Sequence, residues 1–343
     1  ARLLDPDDFG LMAAALVVMG LGALLAQLGL GPALIQRPDL EPIHVRTAST
    51  LAVTLGLTLG GVVALGAPLI ADFFRMPELT PVLRLLAFTF PLAGASSVAD
   101  ALMRRDLRFR TLATIETTSF GVGYVALSVV LALLGFGVWS LVVAHLVQTL
   151  IKTTALLVFQ PHPKRPVVDS RALKELMTYG GGFTLARLFN YIALRGDYVV
   201  AGRWLGAASL GLYSRAYQLL VFPVNLFASA LDRVLFPLMA LVQEEPDRIR
   251  SAYRRGNAAV ALVFFPLSAF AIVLAPEIVV VALGSQWLEV IRPFQILAAG
   301  MVFRAGYKVS DSLARATGAV YRRAWRQGVY AVVVVAGAWI GQH

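Results

Sequence analysis

Long apolar runs separated by short polar connections constrain this chain more than any other feature. A helix needs about 20 apolar residues to cross a bilayer. The chain is 58% hydrophobic and 15% charged, whereas soluble domains average about 45–50% and about 25%. We therefore predict an all-α polytopic membrane protein. Ten spans are expected at roughly 9–31, 47–73, 81–103, 111–134, 136–159, 177–200, 207–231, 256–281, 290–312 and 319–341.

The basic residues between the spans predict an orientation. Twenty lysines and arginines fall in alternate connections, and at most five fall in the others. Cytoplasmic loops carry this kind of excess, so the basic set is predicted to be cytoplasmic. We call this face the arginine-rich side. Its connections are those near 37–46, 104–110, 152–174, 233–255 and 315–326.

The composition also excludes several kinds of site. There are no cysteines, which rules out disulfides and thiolate metal ligands. Four scattered histidines give no metal-binding pattern. The net charge of +10 is spread between spans and not gathered on one soluble face, which argues against nucleic acid. We predict no cofactor, no metal and no catalytic residue.

An internal repeat predicts how the helices are arranged. "ARLLDPDDFGLMAAAL" (1–16) aligns without gaps on "GRWLGAASLGLYSRAY" (202–217), and "APLI" (67–70) and "DALMR" (100–104) recur at 275–278 and 311–315. Equivalent spans differ by six, an even number, so the halves run parallel. This resembles transporters whose halves are related by an axis along the membrane normal.

The repeat also predicts domain boundaries. We expect an N-terminal lobe at 1–159 (spans 2–6 of the full protein), a cytoplasmic linker at 160–176 and a C-terminal lobe at 177–343 (spans 7–11). The sequence is then expected to be a fragment that lacks the first helix and at least one last helix. Gly56 and Gly60 form a GxxxG pattern, which predicts close helix packing.

Ionisable side chains inside the spans are functional candidates, because such groups are costly at bilayer depth. In the second half the cations outnumber the acids, and arginine suits phosphate because its planar fork binds in a bidentate way. This pattern predicts a cationic cavity for an anionic substrate. Its candidate residues are Arg187, Asn190, Tyr191, Arg195, Arg215, Arg304 and Lys308.

The acidic residues have two interpretations. Asp100, Glu116, Asp197 and Asp311 are candidates for ion coupling or for structural pairing. Pairing of Arg195 with Asp197, or of Lys308 with Asp311, would account for the acids. It would leave Arg187, Arg215 and Arg304 without obvious partners.

Several stretches resemble one known family. "ARLLDPDDFGLMAAALVV", "GLGPALIQRPDL", "LMRRDLRFR", "GFGVWSLV" and "GDYVVAGRWLGAASLGLYSRAYQL" are similar to bacterial lipopolysaccharide and exopolysaccharide exporters. These are the Wzx-type flippases of the multidrug/oligosaccharidyl-lipid/polysaccharide superfamily, and the colanic-acid-type exporters are the closest subgroup. The resemblance implies a MATE-like fold with two six-helix lobes around a central cavity.

The resemblance also implies a function. An undecaprenyl-pyrophosphate-linked oligosaccharide would cross the bacterial inner membrane by alternating access, and the cavity cations would meet the pyrophosphate. A polysaccharide polymerase and a chain-length regulator are the implied partners. The first alternative is a cation-coupled multidrug exporter of the same fold, which should show acids at its binding centre. A membrane enzyme would normally need a longer external loop or a catalytic domain than this chain offers.

Overall fold

The computed structural model describes residues 2–27, 29–37, 39–163, 166–242 and 245–316, with isolated positions from 325 to 340. Within these ranges the side chains of 176–187 and of several single positions are not described. All regular elements in the described ranges are helical. The first half contains α1 (Pro6–Gln27), α2 (Leu30–Gln36), α3 (Pro42–Phe74), α4 (Leu79–Leu86), α5 (Thr89–Arg105), α6 (Phe109–Thr118), a π-helical segment (Ser119–Ala126), α7 (Leu127–Leu133) and α8 (Val138–Phe159).

The second half continues with the same kind of element. It contains α9 (Ser170–Val200), a second π-helical segment (Ala201–Leu205), α10 (Gly206–Leu241), α11 (Pro246–Val273), α12 (Ala275–Ala282), a 3₁₀ segment (Ser285–Val290), α13 (Ile291–Ala299) and α14 (Met301–Ala316).

Local sequence explains where several helices begin. Pro6 and Pro42 occupy the first position of α1 and α3, where a missing N–H costs no hydrogen bond. Asp169 caps α9, because its side chain accepts a hydrogen bond of 2.8 Å from the backbone N of Ala172. The end of α3 is marked by Arg75, whose φ of 56° leaves the helical region.

Within the described residues, six helical stretches are long and apolar enough to cross a membrane, and they match the first five predicted spans and the eighth. The predicted spans 177–200, 207–231 and 290–312 lie within α9, within α10 and across α13–α14. Most of the predicted span at 319–341 lies outside the described residues.

Helices on the arginine-rich side extend beyond the predicted spans. α9 begins at Ser170 and not at 177, so the end of the predicted linker is helical. α10 continues to Leu241, past the expected end at 231. α11 begins at Pro246, ten residues before the predicted start at 256. These ends are rich in arginine, leucine and alanine, which favour a helix in water as well as in lipid.

The internal repeat reappears in the helix breaks. α4 and α5 are separated by a break at Ala87–Phe88, and α13 and α14 by a break at Gly300, the corresponding point of the second half. The GxxxG prediction is confirmed, because a Cβ at Gly56 would lie 2.6 Å from the carbonyl O of Phe90. α1 packs against both α9 and α10, which brings the halves together along one seam.

Candidate functional site

Three helices of the second half bring arginines and tyrosines together beside α1. α9 provides Arg195 and Tyr198, α10 provides Arg215 with two further tyrosines, and α14 provides Arg304. We call this group the arginine–tyrosine cluster. Its members are Arg195, Asp197, Tyr198, Tyr213, Arg215, Tyr217 and Arg304, with Phe9 of α1.

The tyrosine rings form the frame of the cluster. The ring centroid of Tyr198 lies 5.6 Å from that of Tyr213 and 5.8 Å from that of Tyr217, in edge-to-face contact. Tyr213 and Tyr217 are one helical turn apart on α10, and their ring centroids are 6.1 Å apart. Rings packed edge to face in this way hold one another in place.

Each guanidinium of the cluster lies over an aromatic ring. The Cζ atom of Arg195 is 4.8 Å from the centroid of Tyr198, and that of Arg304 is 4.5 Å from the centroid of Tyr217. The Cζ atom of Arg215 is 4.2 Å from the centroid of Phe9, across the seam on α1. Such contacts stabilise a cation by about 0.5–2 kcal/mol, which offsets only part of the cost of removing it from water.

Two of these guanidiniums retain unused hydrogen-bond donors. Nε of Arg215 and Nη1 of Arg304 are buried without a hydrogen-bond partner. In the described part of the chain, the ion pairs involve other residues and none of the three cluster arginines. A buried donor without a partner costs about 1–3 kcal/mol, and more when it is charged. The geometry therefore offers two positions where an anion would complete the bonding.

Asp197 lies in the cluster but is engaged by neighbours other than an arginine. Its Oδ2 accepts a hydrogen bond of 2.7 Å from the hydroxyl of Tyr213, and its Oδ1 accepts one of 2.9 Å from the backbone N of Tyr198. The ion pair between Arg195 and Asp197 considered above is not formed within the described residues. Asp197 instead fixes the ring of Tyr213.

The remaining predicted cavity residues lie in different places. Tyr191 donates a hydrogen bond of 2.8 Å to the carbonyl O of Val17 and packs over Gly20, so it joins α9 to α1. Asn190 is half-buried on the same helix, and Lys308 is exposed one turn beyond Arg304 on α14. The side chain of Arg187 lies outside the described residues.

The acid predicted near the end of α14 lies about two helical turns beyond Arg304 on the same helix. Asp311 lines a cavity of about 380 Å³ together with Tyr307, Ser310 and Tyr330. The predicted pairing of Asp311 with Lys308 stays a hypothesis.

The acids of the first half are held in a network of ion pairs. Asp100 pairs with Arg104 at 2.7 Å, one turn away on α5. Glu116 pairs with Lys152 at 3.1 Å and also lies 3.6 Å from Arg104. Both predicted acids therefore have cationic partners, and the four charges of the network balance.

A cavity of about 640 Å³ is lined in part by Asp100, Arg104 and Lys152 of this network. One wall is formed by Ser97, Asp100 and Arg104, which share a face of α5. A polar seam on α8 also lines the cavity, and the remaining lining residues, from α1, α2 and α5, are mostly apolar. The seam consists of His145, Gln148, Thr149 and Lys152.

The polar seam on α8 was not found from the sequence. His145 and Gln148 stand singly in an apolar run, and their spacing of three and four residues is the only signal. His145 contacts the ring of Tyr124 at 6.4 Å between centroids. Helix α1 links the cavity to the arginine–tyrosine cluster, because it supplies Ala23 and Ala26 to the cavity and Phe9 to the cluster.

A second set of charges joins the halves on the arginine-rich side. Glu175 of α9 pairs with Arg37 at 2.7 Å, with His44 at 3.0 Å and with Arg171 at 3.0 Å. Nδ1 of His44 accepts from the backbone N of Glu41, so its Nε2 donates to Glu175. These hydrogen bonds lower the pKa of Glu175 to about 2, and the hydrogen bond from His44 has the largest effect on this pKa.

Comparison with known proteins shows similarity to polysaccharide biosynthesis proteins. A family model described as "Polysaccharide biosynthesis protein" matches residues 1–292. The succinoglycan biosynthesis transport protein ExoT of Rhizobium meliloti is 30% identical over 289 residues, which cover 84% of this chain and 58% of ExoT. The lipopolysaccharide biosynthesis protein WzxC of Escherichia coli is 26% identical over 316 residues, which cover 91% of this chain and 64% of WzxC. The chain thus spans less than two thirds of the length of these relatives.

The fold matches a solved transporter over almost the whole chain. That structure is the inward-facing conformation of a multidrug resistance MATE family transporter of the MOP superfamily, with a TM-score of 0.68 and 17% sequence identity. The match covers 98% of this chain and 81% of the transporter. The predicted all-α, two-lobe, MATE-like architecture is confirmed.

Proposed function

Because this chain belongs to the polysaccharide biosynthesis protein family, we propose that it is the helical core of a flippase for a lipid-linked oligosaccharide. The cargo is an undecaprenyl-pyrophosphate-linked oligosaccharide destined for lipopolysaccharide or exopolysaccharide. It crosses the bacterial inner membrane by alternating access of the two lobes. A polysaccharide polymerase and a chain-length regulator act with it, and the protein itself transports and does not catalyse.

The observation that carries the proposal is the pair of unused donors in the arginine–tyrosine cluster. Arg215 and Arg304 each keep a buried guanidinium nitrogen without a partner. Pyrophosphate supplies several charged oxygens, and hydrogen bonds from arginine to phosphate are short, charge-assisted and often bidentate. Binding of the pyrophosphate would satisfy both donors at once and balance the buried cations.

The aromatic rings stabilise the arginines of the cluster in the absence of substrate. Phe9 and Tyr217 lie over the guanidiniums of Arg215 and Arg304, and partly stabilise each cation without using its N–H groups. A carboxylate in the same position would have consumed these donors. The rings therefore keep the arginines charged and available.

We assign the sugars of the substrate to the polar cavity of the N-terminal lobe. Its volume of about 640 Å³ falls in the range of about 300–1,000 Å³ found for ligand pockets. Its charged residues are already paired, so the wall offers hydrogen bonds without a strong net charge. Helix α1 contributes to both this cavity and the arginine–tyrosine cluster, which supports the assignment.

The drug-exporter alternative fits this arrangement less well. A cationic drug requires a carboxylate that is free to receive it. Asp100 and Glu116 are already in ion pairs, and Asp197 accepts two hydrogen bonds from its neighbours. Cargo with a negative charge is the better match to the cluster.

The proposal is tested by direct binding of a short polyprenyl pyrophosphate. The full-length protein is reconstituted in nanodiscs and titrated with farnesyl pyrophosphate in a calorimeter. Removing one partner of a buried charge-assisted contact costs at least about 2 kcal/mol, which is about 30-fold in affinity. We expect Arg215→Gln and Arg304→Gln each to weaken binding by about that factor or more.

The matched control is Arg84→Gln, which removes an exposed arginine on α4. It should bind farnesyl pyrophosphate as the unmodified protein does. If both cluster variants keep their thermal stability and bind within about twofold of the unmodified protein, a factor worth about 0.4 kcal/mol, the cluster is not the phosphate site.

A further inference from the structure

The two repeated motifs that open the halves of the chain carry arginines at equivalent positions. Arg2 lies in "ARLLD" just before α1, and Arg203 lies in "GRWLG" just before α10. The gapless alignment of 1–16 on 202–217 makes these two residues equivalent. Both lie on the side opposite the arginine-rich side, and the phosphate site uses neither of them.

Each of these arginines reaches across the seam to the other half. Nη2 of Arg2 donates a hydrogen bond of 2.9 Å to the carbonyl O of Val281, in the last turn of α12. Nη1 of Arg203 donates one of 3.4 Å to the carbonyl O of Asp72, in the last turn of α3. The guanidinium of Arg203 also lies over the ring of Phe73, 5.3 Å from its centroid.

The acceptors are equivalent as well as the donors. "APLI" at 67–70 aligns with "APEI" at 275–278, and this offset carries Asp72 to within one residue of Val281. The last carbonyls of a helix lack intrahelical partners and carry partial negative charge, which favours a cation there. The two contacts are therefore equivalent. In each one, an arginine of one half binds the C-terminal end of a helix in the other half.

The helix backbones touch between the two arginines. A side chain at Gly10 would overlap the carbonyl O of Ala207, and a side chain at Gly211 would overlap that of Pro6. Gly10 aligns with Gly211, and Pro6 aligns with Ala207. The backbones of α1 and α10 therefore touch at Gly10 and Gly211. We call this contact the glycine crossing.

We propose that Arg2 and Arg203 form a pair of latches that hold the lobes together on the side opposite the arginine-rich side. When both contacts break, the lobes separate along the glycine crossing and the cluster opens to that side. Each latch is suited to reversal, since it is a hydrogen bond to an uncharged carbonyl near the surface and water can replace it. The closure of the lobes by these contacts does not depend on the proposed function. Only the purpose of the latches in transport rests on it.

The absence of cysteine allows a direct measurement of lobe separation. Glu78 and Glu289 are exposed and lie in equivalent connections of the two halves, after α3 and after α12. Spin labels at Glu78→Cys and Glu289→Cys in the full-length protein report the distance between the lobes by pulsed electron resonance in nanodiscs. No substrate is needed.

We expect Arg2→Ala and Arg203→Ala each to raise the ratio of separated to closed lobes by about two- to fivefold, the effect typical of a cation at a helix C-terminus. The double variant should multiply the two factors, because the two contacts share no residue. The control Arg84→Ala removes an exposed arginine on the same side and should leave the distances unchanged. Gly10→Ala should separate the lobes by steric overlap.

Two results would overturn the latch. One is an unchanged distance distribution in the double variant while Gly10→Ala separates the lobes. The other is an unchanged distribution in all variants, which would mean that the seam is not the closing surface. Neither result bears on phosphate binding by Arg215, so the latch and the proposed function fail separately.

Discussion

The two lobes stabilise the charges on their helices in opposite ways. In the N-terminal lobe, Asp100 and Glu116 are matched by Arg104 and Lys152. In the C-terminal lobe, the cluster arginines lie over aromatic rings, and two of them keep unused donors. An ion pair completes the bonding of both groups, whereas a ring stabilises a cation and leaves its N–H groups free. The N-terminal lobe therefore offers a polar wall, whereas the C-terminal lobe offers a site that still requires an anion.

The largest effect is expected from giving the C-terminal lobe a carboxylate like those of the other lobe. In Tyr217→Glu, the new carboxylate would pair with Arg304 and repel phosphate. Like charges placed together cost several kcal/mol, so farnesyl pyrophosphate should bind more than about 30-fold more weakly. Tyr217→Gln is the matched control without the charge. Equal affinity in the two variants would contradict the comparison.

A smaller effect is expected from a substitution that keeps the positive charge but removes the planar guanidinium. Arg304→Lys retains a cation but loses the planar pair of donors. Loss of one hydrogen bond to a charged group should weaken farnesyl pyrophosphate binding by about tenfold. Lys152→Arg makes the reverse exchange in the paired lobe and should change this affinity little. Calorimetry on both variants checks the prediction, and an equal loss in both would refute it.

The polar wall of the N-terminal lobe should matter only for the sugars. Gln148→Ala removes an amide from the seam on α8. Loss of one neutral hydrogen bond is worth about 1 kcal/mol, or about fivefold in affinity. We expect that loss for a glycosylated polyprenyl pyrophosphate and none for farnesyl pyrophosphate. A similar loss for both ligands would show that the cavity does not separate sugar from phosphate.

The smallest effect concerns the ion pairs that join the lobes at Glu175. Because its pKa in the folded protein is lowered to about 2 from an ordinary value of 4.5, its contribution to stability is present above pH 4.5. That contribution is lost as the pH falls from 4.5 towards 2. Glu175→Gln should lower Tm by about 1–2 °C at pH 7.

The same variant provides its own pH control. The difference in Tm between Glu175→Gln and the unmodified protein should persist down to about pH 4.5 and shrink at pH 3, by the linkage of proton binding to folding. A difference that is constant down to pH 3 would mean that Glu175 acts by packing and not by charge.

Much of the fold could be predicted from the sequence because its signals are local. Apolar length indicated the spans, the repeat indicated two parallel halves, and Gly56 with Gly60 indicated a close crossing. Arg195, Arg215 and Arg304 stood out because charge is rare in an apolar run. The structure brings these three together from three separate helices.

The partners of these charges could not be predicted in the same way. Phe9 and Tyr217 do not stand out in an apolar sequence, and their role depends on which helix packs beside them. Tyr191, one of the predicted cavity residues, packs against α1 where Gly20 leaves room for its ring. That space is a property of the neighbouring helix. The sequence pattern of one segment does not show where a neighbouring helix leaves space for its side chains.

The glycine crossing has the geometry of an isologous interface, in which residue i meets residue j and j meets i. Pro6 meets Gly211, and their equivalents Ala207 and Gly10 meet in turn. The chain is therefore organised like a symmetric dimer joined into one polypeptide. In a dimer of identical subunits, every cation placed beside the axis would be present twice. Fusion of the two halves allows one lobe to hold unpaired arginines while the other keeps its charges balanced.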